Sequence, residues 1–325
     1  MKKVTPIFIF SLPRSGSTLL QRLIAMHSDV ATESETWLLL PLFLSAKNGT
    51  GISEYNDRYA AAGISEVLEK IENGEEKYHR EVAKLAGSIY SSLARNGEQY
   101  FLEKTPRYHL ITNEIIESFP DAKFIFLWRS PLAIIGSIIS SWGNDRWNVY
   151  RYYIDLYKGL ENLVSAFEKH KDRSIGLNYE MLLEEPNKEL RRVMEYLELT
   201  TEQIDPDRLG AFVLNGSLGD KTGTKKYKKL SKEPLDKWKS QIGNPVRRAW
   251  CYKYLEWIDG TRLSIMGYDI NELQNQLSTV RMSPRFIVSD MGRMIFGYFF
   301  NLFNLSNVWT KIRMIRKGKR IYPYS

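Results

Sequence analysis

The segment Val4–Leu20 constrains the fold more than any other part of this chain. An apolar run from Val4 to Phe10 breaks at Pro13-Arg14-Ser15-Gly16-Ser17-Thr18, and apolar residues return with helical spacing at Leu19, Leu20, Leu23 and Ile24. A strand, a tight turn and a helix start in this order leave the first N–H groups of the helix unpaired and aimed at one spot, with the helix dipole behind them. Gly16 lets the backbone approach a ligand, Ser15, Ser17 and Thr18 offer hydroxyls, and Arg14 adds a fixed positive charge. The loop reads as a phosphate cradle. It is not a Walker A loop, because Ser11 stands where that motif has its first Gly and no Lys follows Gly16. That disfavours a nucleoside triphosphate kinase. The plainer alternative is a strand-to-helix turn with a capping serine.

A second junction repeats the pattern. Lys123-Phe-Ile-Phe-Leu-Trp-Arg129 is a strand of β-branched, aromatic and aliphatic residues, and Ser130-Pro131 then suits a helix N-cap and first helical position. Strands expected at about residues 4–10, 100–104, 123–128 and 174–178 alternate with helical stretches, which predicts an α/β fold with a parallel sheet covered by helices. Arg14, Lys104, Arg129 and Tyr179 each fall just after a strand, where ligands of such sheets collect. The stretch 38–97 has no clear strand and reads as a helical insertion on the acceptor side. At 325 residues and 43% hydrophobic, the chain can bury a large core.

Pro13–Leu20 resembles the 5′-phosphosulfate loop of sulfotransferases that use 3′-phosphoadenosine 5′-phosphosulfate (PAPS), and Arg14 in place of the usual Lys is similar to the carbohydrate and tyrosyl-protein branches. The resemblance implies a P-loop-like three-layer fold. It also implies that Arg129 and Ser137 hold the 3′-phosphate, although the family writes Arg-Asp-Pro where this chain has Arg-Ser-Pro. The segment His27–Trp37 is similar to one in tyrosyl-protein sulfotransferases whose second Glu is the catalytic base, which maps to Glu35, with Glu33 as the alternative. Tyr100–Pro106 resembles the family's strand ending in Lys-x-Pro, so Lys104 is expected at the sulfuryl group. Tyr179 in Asn178-Tyr-Glu180 matches a residue that borders the nucleotide. Lys221, in Leu218–Lys226, is the candidate from a mobile basic loop that closes over PAPS, and Leu235–Lys239 resembles a Trp-bearing helix start near it.

The resemblance runs from about Val4 to Trp257, within an expected sulfotransferase domain of residues 1–280. It implies transfer of a sulfuryl group from PAPS to a hydroxyl, leaving 3′-phosphoadenosine 5′-phosphate. Glu35 would act as base while Arg14, Ser17, Thr18 and Lys104 stabilise the departing oxygen. The expected acceptors are a carbohydrate or lipid-linked glycan first, a small molecule next and tyrosine last. A phosphate-binding kinase or non-catalytic scaffold is the competing class. No metal site is expected, because the four histidines are scattered and there is one cysteine, Cys251. That lone cysteine and the start of the sequence, which passes from Met1 into the first strand, suit the cytoplasm.

The charge is distributed unevenly. From Arg281 to Ser325 there are nine Lys/Arg and one acid, Asp290, which accounts for the whole net charge of +8. Within this extension, 294–310 is uncharged and aromatic, and too short to span a bilayer. Two readings stay open: a segment in an anionic membrane interface, at the inner face, or a helix packed on the body with a solvated tail. Nucleic acid is not an expected partner, since the basic residues form one terminal patch without a reader motif.

Overall fold

The computed structural model describes residues 3–45, 57–201, 204–211, 214, 230–303, 305, 312 and 316. Five strands form one sheet: β1 (Thr5–Phe10), β2 (Val30–Thr32), β3 (Tyr100–Glu103), β4 (Lys123–Trp128) and β5 (Ser174–Asn178). All pairings are parallel and the order is β2-β3-β1-β4-β5. The expected α/β class holds, and the four expected strands lie where the sequence placed them. β2 is an addition. Its three residues lie within His27–Trp37, where no strand was expected, and they are too few to show an alternating pattern.

Strand side chains alternate between faces, and here the alternation also separates residue types. Ile7 and Ile9 of β1, with Ile125 and Leu127 of β4, meet the helices Ser17–Ile24, Tyr179–Glu184 and Pro186–Leu197 in an aliphatic layer. Phe8, Phe10, Phe124, Phe126 and Trp128 point the other way. Their rings run from Phe8 through Phe10, at 6.0 Å, to Phe126, at 5.2 Å. The helices over this face are Gly74–Leu93, Thr112–Ser118, Pro131–Ser141 and Leu160–Lys169. Burying each aromatic side chain is worth roughly 1.5–3 kcal/mol, so both layers hold the strand ends in register.

From β1 the chain builds first to one side, through β2 and β3, and then to the other, through β4 and β5. The connections after β1 and β4 therefore leave the sheet in different directions, opening a crevice at its carboxyl edge. Within 38–97 the described residues are helical, at Leu39–Leu44, Asp57–Glu69 and Gly74–Leu93, as expected. The helices Pro245–Ile265, Ile270–Ser278 and Ile287–Leu302 close the described chain. The last packs on the body, and no described helix is long and apolar enough to cross a membrane.

Candidate active site

The loop after β1 turns on two left-handed residues, Arg14 at φ 69° and Gly16 at φ 90°. Leu19 and Leu20 both donate to the Gly16 carbonyl, so the amides of Ser17 and Thr18 precede the helical ladder and lie at its open end. Gly16 is required twice over. Its φ is costly for a residue with a side chain, and a Cβ there would sit 2.2 Å from the Tyr179 ring. Ser15 and Ser17 are buried in the turn.

Three other elements close on this loop. Arg129, at the end of β4, donates to the Arg14 carbonyl at 2.6 Å and lies over the Tyr179 ring at 4.5 Å. Arg14 reaches across the crevice, donating through Nε to Ser137 Oγ and through a terminal nitrogen to Ser141 Oγ, both at 3.1 Å, and stacking on Trp142 at 5.1 Å. Ser137 and Ser141 share one face of the Pro131–Ser141 helix because they are four residues apart. Glu180 accepts from the Ser130 amide at 3.0 Å and from the Tyr268 hydroxyl at 2.6 Å, tying the second junction to β5. Trp238 packs on Gly136, where a Cβ would lie 2.6 Å from it, so the Trp-bearing segment borders the same helix.

Two polar atoms here are buried without a hydrogen-bond partner among the described residues, Arg129 Nε and Ser130 Oγ. Donors left unpaired in the interior are costly unless something else satisfies them. An anion bound at this junction would meet the Arg129 guanidinium and the amides of the first loop, a donor set that suits a phosphate-bearing nucleotide.

The second group lies after β2 and β3. Lys104 Nζ donates to Glu35 Oε1 at 2.8 Å, with only 2% of the lysine side chain exposed and 12% of the glutamate's. The other oxygen, Oε2, accepts from the Trp37 indole at 3.2 Å. Glu33, the other candidate carboxylate, is fixed through its backbone, whose carbonyl accepts from Gln21 at 2.8 Å. Beneath the ion pair lies Glu103, which is buried. It accepts from Thr36 at 2.8 Å and Thr105 at 2.9 Å, and Thr105 also accepts from the Trp37 amide at 3.2 Å. Burial pushes the Glu103 carboxyl up to about 7, against smaller opposing effects of the two hydroxyls and Lys104.

Arg14, Ser15, Gly16, Ser17, Thr18, Arg129, Ser137 and Tyr179 thus gather around one crevice, and Glu35 and Lys104 pair after the neighbouring strands. Lys221 lies outside the described residues. The sequence reading missed Ser141, Trp142, Glu103 and the task of Glu180. Ser141 was findable, one turn beyond Ser137. Glu103 stands beside Lys104 in the sequence, but nothing local reveals that a strand-end glutamate points inward. Among the described residues no cluster has the makings of a metal site.

Fold and site together define an α/β protein with a parallel five-stranded sheet and a left-handed glycine turn leading from its central strand into a helix. The sequence pattern of the sulfotransferase family matches residues 6–203, and the chain belongs to that family. It is 28% identical over 269 residues to nodulation protein NoeE of Sinorhizobium fredii, covering 72% of this chain and 60% of that protein. It is 26% identical over 275 residues to the protein-tyrosine sulfotransferase of Drosophila melanogaster, covering 81% of this chain and 51% of the relative. The chain therefore spans about half to three-fifths of the length of these two relatives. Among solved structures, the sulfotransferase domain from the curacin biosynthetic pathway aligns with 74% of this chain and 92% of its own, at 20% identity and a TM-score of 0.48.

Proposed function

We propose that this protein transfers a sulfuryl group from PAPS to a hydroxyl, most readily that of a carbohydrate or lipid-linked glycan. The observation that carries this reading is the meeting of Arg14, Ser137, Arg129 and Tyr179 over the Gly16 loop, beside the Lys104–Glu35 pair. The loop amides with Arg14 suit the 5′-phosphosulfate end, and Arg129 with Ser137 suits the 3′-phosphate.

Bound PAPS supplies the sulfuryl group and a bisphosphate leaving group. Glu35 receives the proton of the acceptor hydroxyl as that oxygen bonds to sulfur, which raises the nucleophilicity of an otherwise weak alcohol. Lys104 has three N–H donors and spends one on Glu35. The others are available to the charge that builds on the bridging oxygen as its bond to sulfur breaks, with Arg14, Ser17 and Thr18 on the same side. The Trp37 indole holds the second Glu35 oxygen, so the carboxylate is oriented before the acceptor arrives.

A tyrosine-bearing peptide is the second reading for the acceptor, favoured by the protein-tyrosine sulfotransferases among the relatives. Metal-free calorimetry of 3′-phosphoadenosine 5′-phosphate against ATP, on wild type and Arg129→Ala, tests the donor site. Preferential binding of the bisphosphate and its loss in the variant support PAPS. Preference for ATP would favour the competing kinase or scaffold class. An acceptor screen with radiolabelled PAPS over glycans, glycolipids and tyrosine peptides then separates the two acceptor readings.

A further inference from the structure

The C-terminal helix Ile287–Leu302 has its polarity reversed relative to a surface helix of a soluble domain. It contains two charged residues, Asp290 and Arg293, and both face the body. Asp290 is fully buried, accepting from Arg247 at 2.6 Å, from Asn244 at 3.0 Å and from the Trp147 amide at 3.2 Å. Arg293 donates to Asn148 at 2.7 Å, and Asn301 donates to the Tyr150 carbonyl at 3.1 Å. Gly297 lies against Tyr150, where a Cβ would approach within 2.6 Å. The rotation of the helix is therefore fixed by buried polar contacts and one close approach.

What remains outward is apolar. Val288, Met291, Ile295, Tyr298, Phe299 and Leu302 recur with helical spacing along the opposite side, and their exposures run from 47% for Phe299 to 84% for Val288. Phe303, 64% exposed, continues the stripe. No charged residue interrupts it. A contiguous apolar face of this size, presented by a helix whose charges are spent inward, calls for a partner.

The charge balance selects the partner. Arg281 and Arg285 precede the helix and are exposed, and Arg316 beyond it is exposed as well. The sequence after the helix adds Lys311, Arg313, Lys317, Lys319 and Arg320, without one acid. The remaining 280 residues balance, so in the sequence the entire net charge flanks this one helix. An identical copy of the chain would bring the same cations against each other. An anionic lipid surface offers the apolar layer and the opposite charge together. We propose that the outward face of Ile287–Leu302 docks the protein on anionic bilayers, with Phe299, Tyr298 and Leu302 entering the interface and the flanking cations meeting the headgroups. This proposal stands apart from the sulfuryl-transfer reading, because vesicle binding is read without turnover.

The test is co-sedimentation of the full chain with vesicles of phosphatidylcholine alone and with one-third phosphatidylglycerol. The expected result is at least about tenfold tighter binding to the anionic vesicles, weakened severalfold by half-molar salt. Ile295→Asp with Phe299→Asp places charge on the stripe alone and should weaken binding about tenfold or more, with far-UV circular dichroism and bisphosphate binding unchanged. Replacement of Lys317, Lys319 and Arg320 by Gln should weaken binding to anionic vesicles without affecting the helix. Failure of the wild-type chain to bind either vesicle overturns the proposal. So does equal binding of the double variant, or a dimer by analytical ultracentrifugation that the double variant abolishes while vesicle binding is absent.

Discussion

The two halves of the candidate site are held by different kinds of contact. On the β1–β4 side, the groups held are largely backbone: a left-handed Gly16, two strand-to-helix junctions, the Arg14 carbonyl clasped by Arg129 and the Ser130 amide clasped by Glu180. On the β2–β3 side it is set by side chains far apart in sequence. Glu35 meets Lys104, and Thr36, Thr105 and Glu103 form a hydroxyl–carboxyl cluster below them. Backbone geometry can hold an anion of fixed shape. A side-chain network can hold a carboxylate ready for a proton, and it responds to pH.

The sharpest way to break this division is to neutralise the reactive half alone. Glu35→Gln keeps the shape of the side chain and removes the base. We expect kcat to fall by roughly 10²–10⁴-fold, with the affinity for 3′-phosphoadenosine 5′-phosphate little changed. Turnover close to wild type in this variant, with loss in Glu33→Gln, would transfer the role of base to Glu33.

Glu103 gives the next largest effect, on stability. Its carboxyl titrates at about 7 in the fold, raised by burial from an ordinary 4.5, so the folded chain holds this proton more tightly than the unfolded one. The stabilisation is complete below about pH 4.5 and is lost as the pH rises through about 7. Integrated over that window it amounts to about 3 kcal/mol. In Glu103→Gln this contribution to the pH dependence vanishes, and the change in urea midpoint between pH 5 and pH 8 should shrink accordingly. An unchanged slope would mean that Glu103 is not the titrating group.

Arg129→Ala tests the other half. It removes the guanidinium that braces the Arg14 carbonyl and carries the unpartnered Nε. Loss of charge-assisted hydrogen bonds of roughly 1.5–3 kcal/mol should weaken bisphosphate binding by about 10- to 100-fold in calorimetry. Arg129→Lys should recover only part, since a lysine cannot present the same planar fork. Full recovery by lysine would reduce the site to a point charge.

The same contrast explains what the sequence disclosed. Gly16, Ser130-Pro131 and the apolar runs before them act within a few residues of themselves, so four of the five strands, both junctions and the strand-end residues Arg14, Lys104, Arg129 and Tyr179 could be read from local pattern. The roles of Glu35 and Lys104 came from resemblance and their pairing only from the structure, because no local rule brings together residues on the β2 and β3 connections. Glu103 went unread for a physical reason. A carboxylate at a strand end is ordinarily solvated, and only the packed structure shows Thr36 and Thr105 closing over it. The C-terminal helix was legible in composition but not in rotation, which is fixed by Asp290 and Gly297 against distant residues.

Ser141→Ala is the finest probe of how Arg14 is held between the two strand-to-helix junctions. The arginine is held by Ser137 and Ser141 on one side and by the Trp142 ring on the other. Ser141 lies at the exposed end of its helix, so its hydroxyl can be removed without opening a cavity. One hydrogen bond to a charged donor is lost, and the guanidinium gains freedom to turn toward a bound phosphosulfate. Binding of 3′-phosphoadenosine 5′-phosphate should weaken by no more than about tenfold. Ser137→Ala should cost more, because Ser137 is also a proposed phosphate ligand. If the two variants lose equally, both serines act only by holding Arg14, and the 3′-phosphate is left to Arg129.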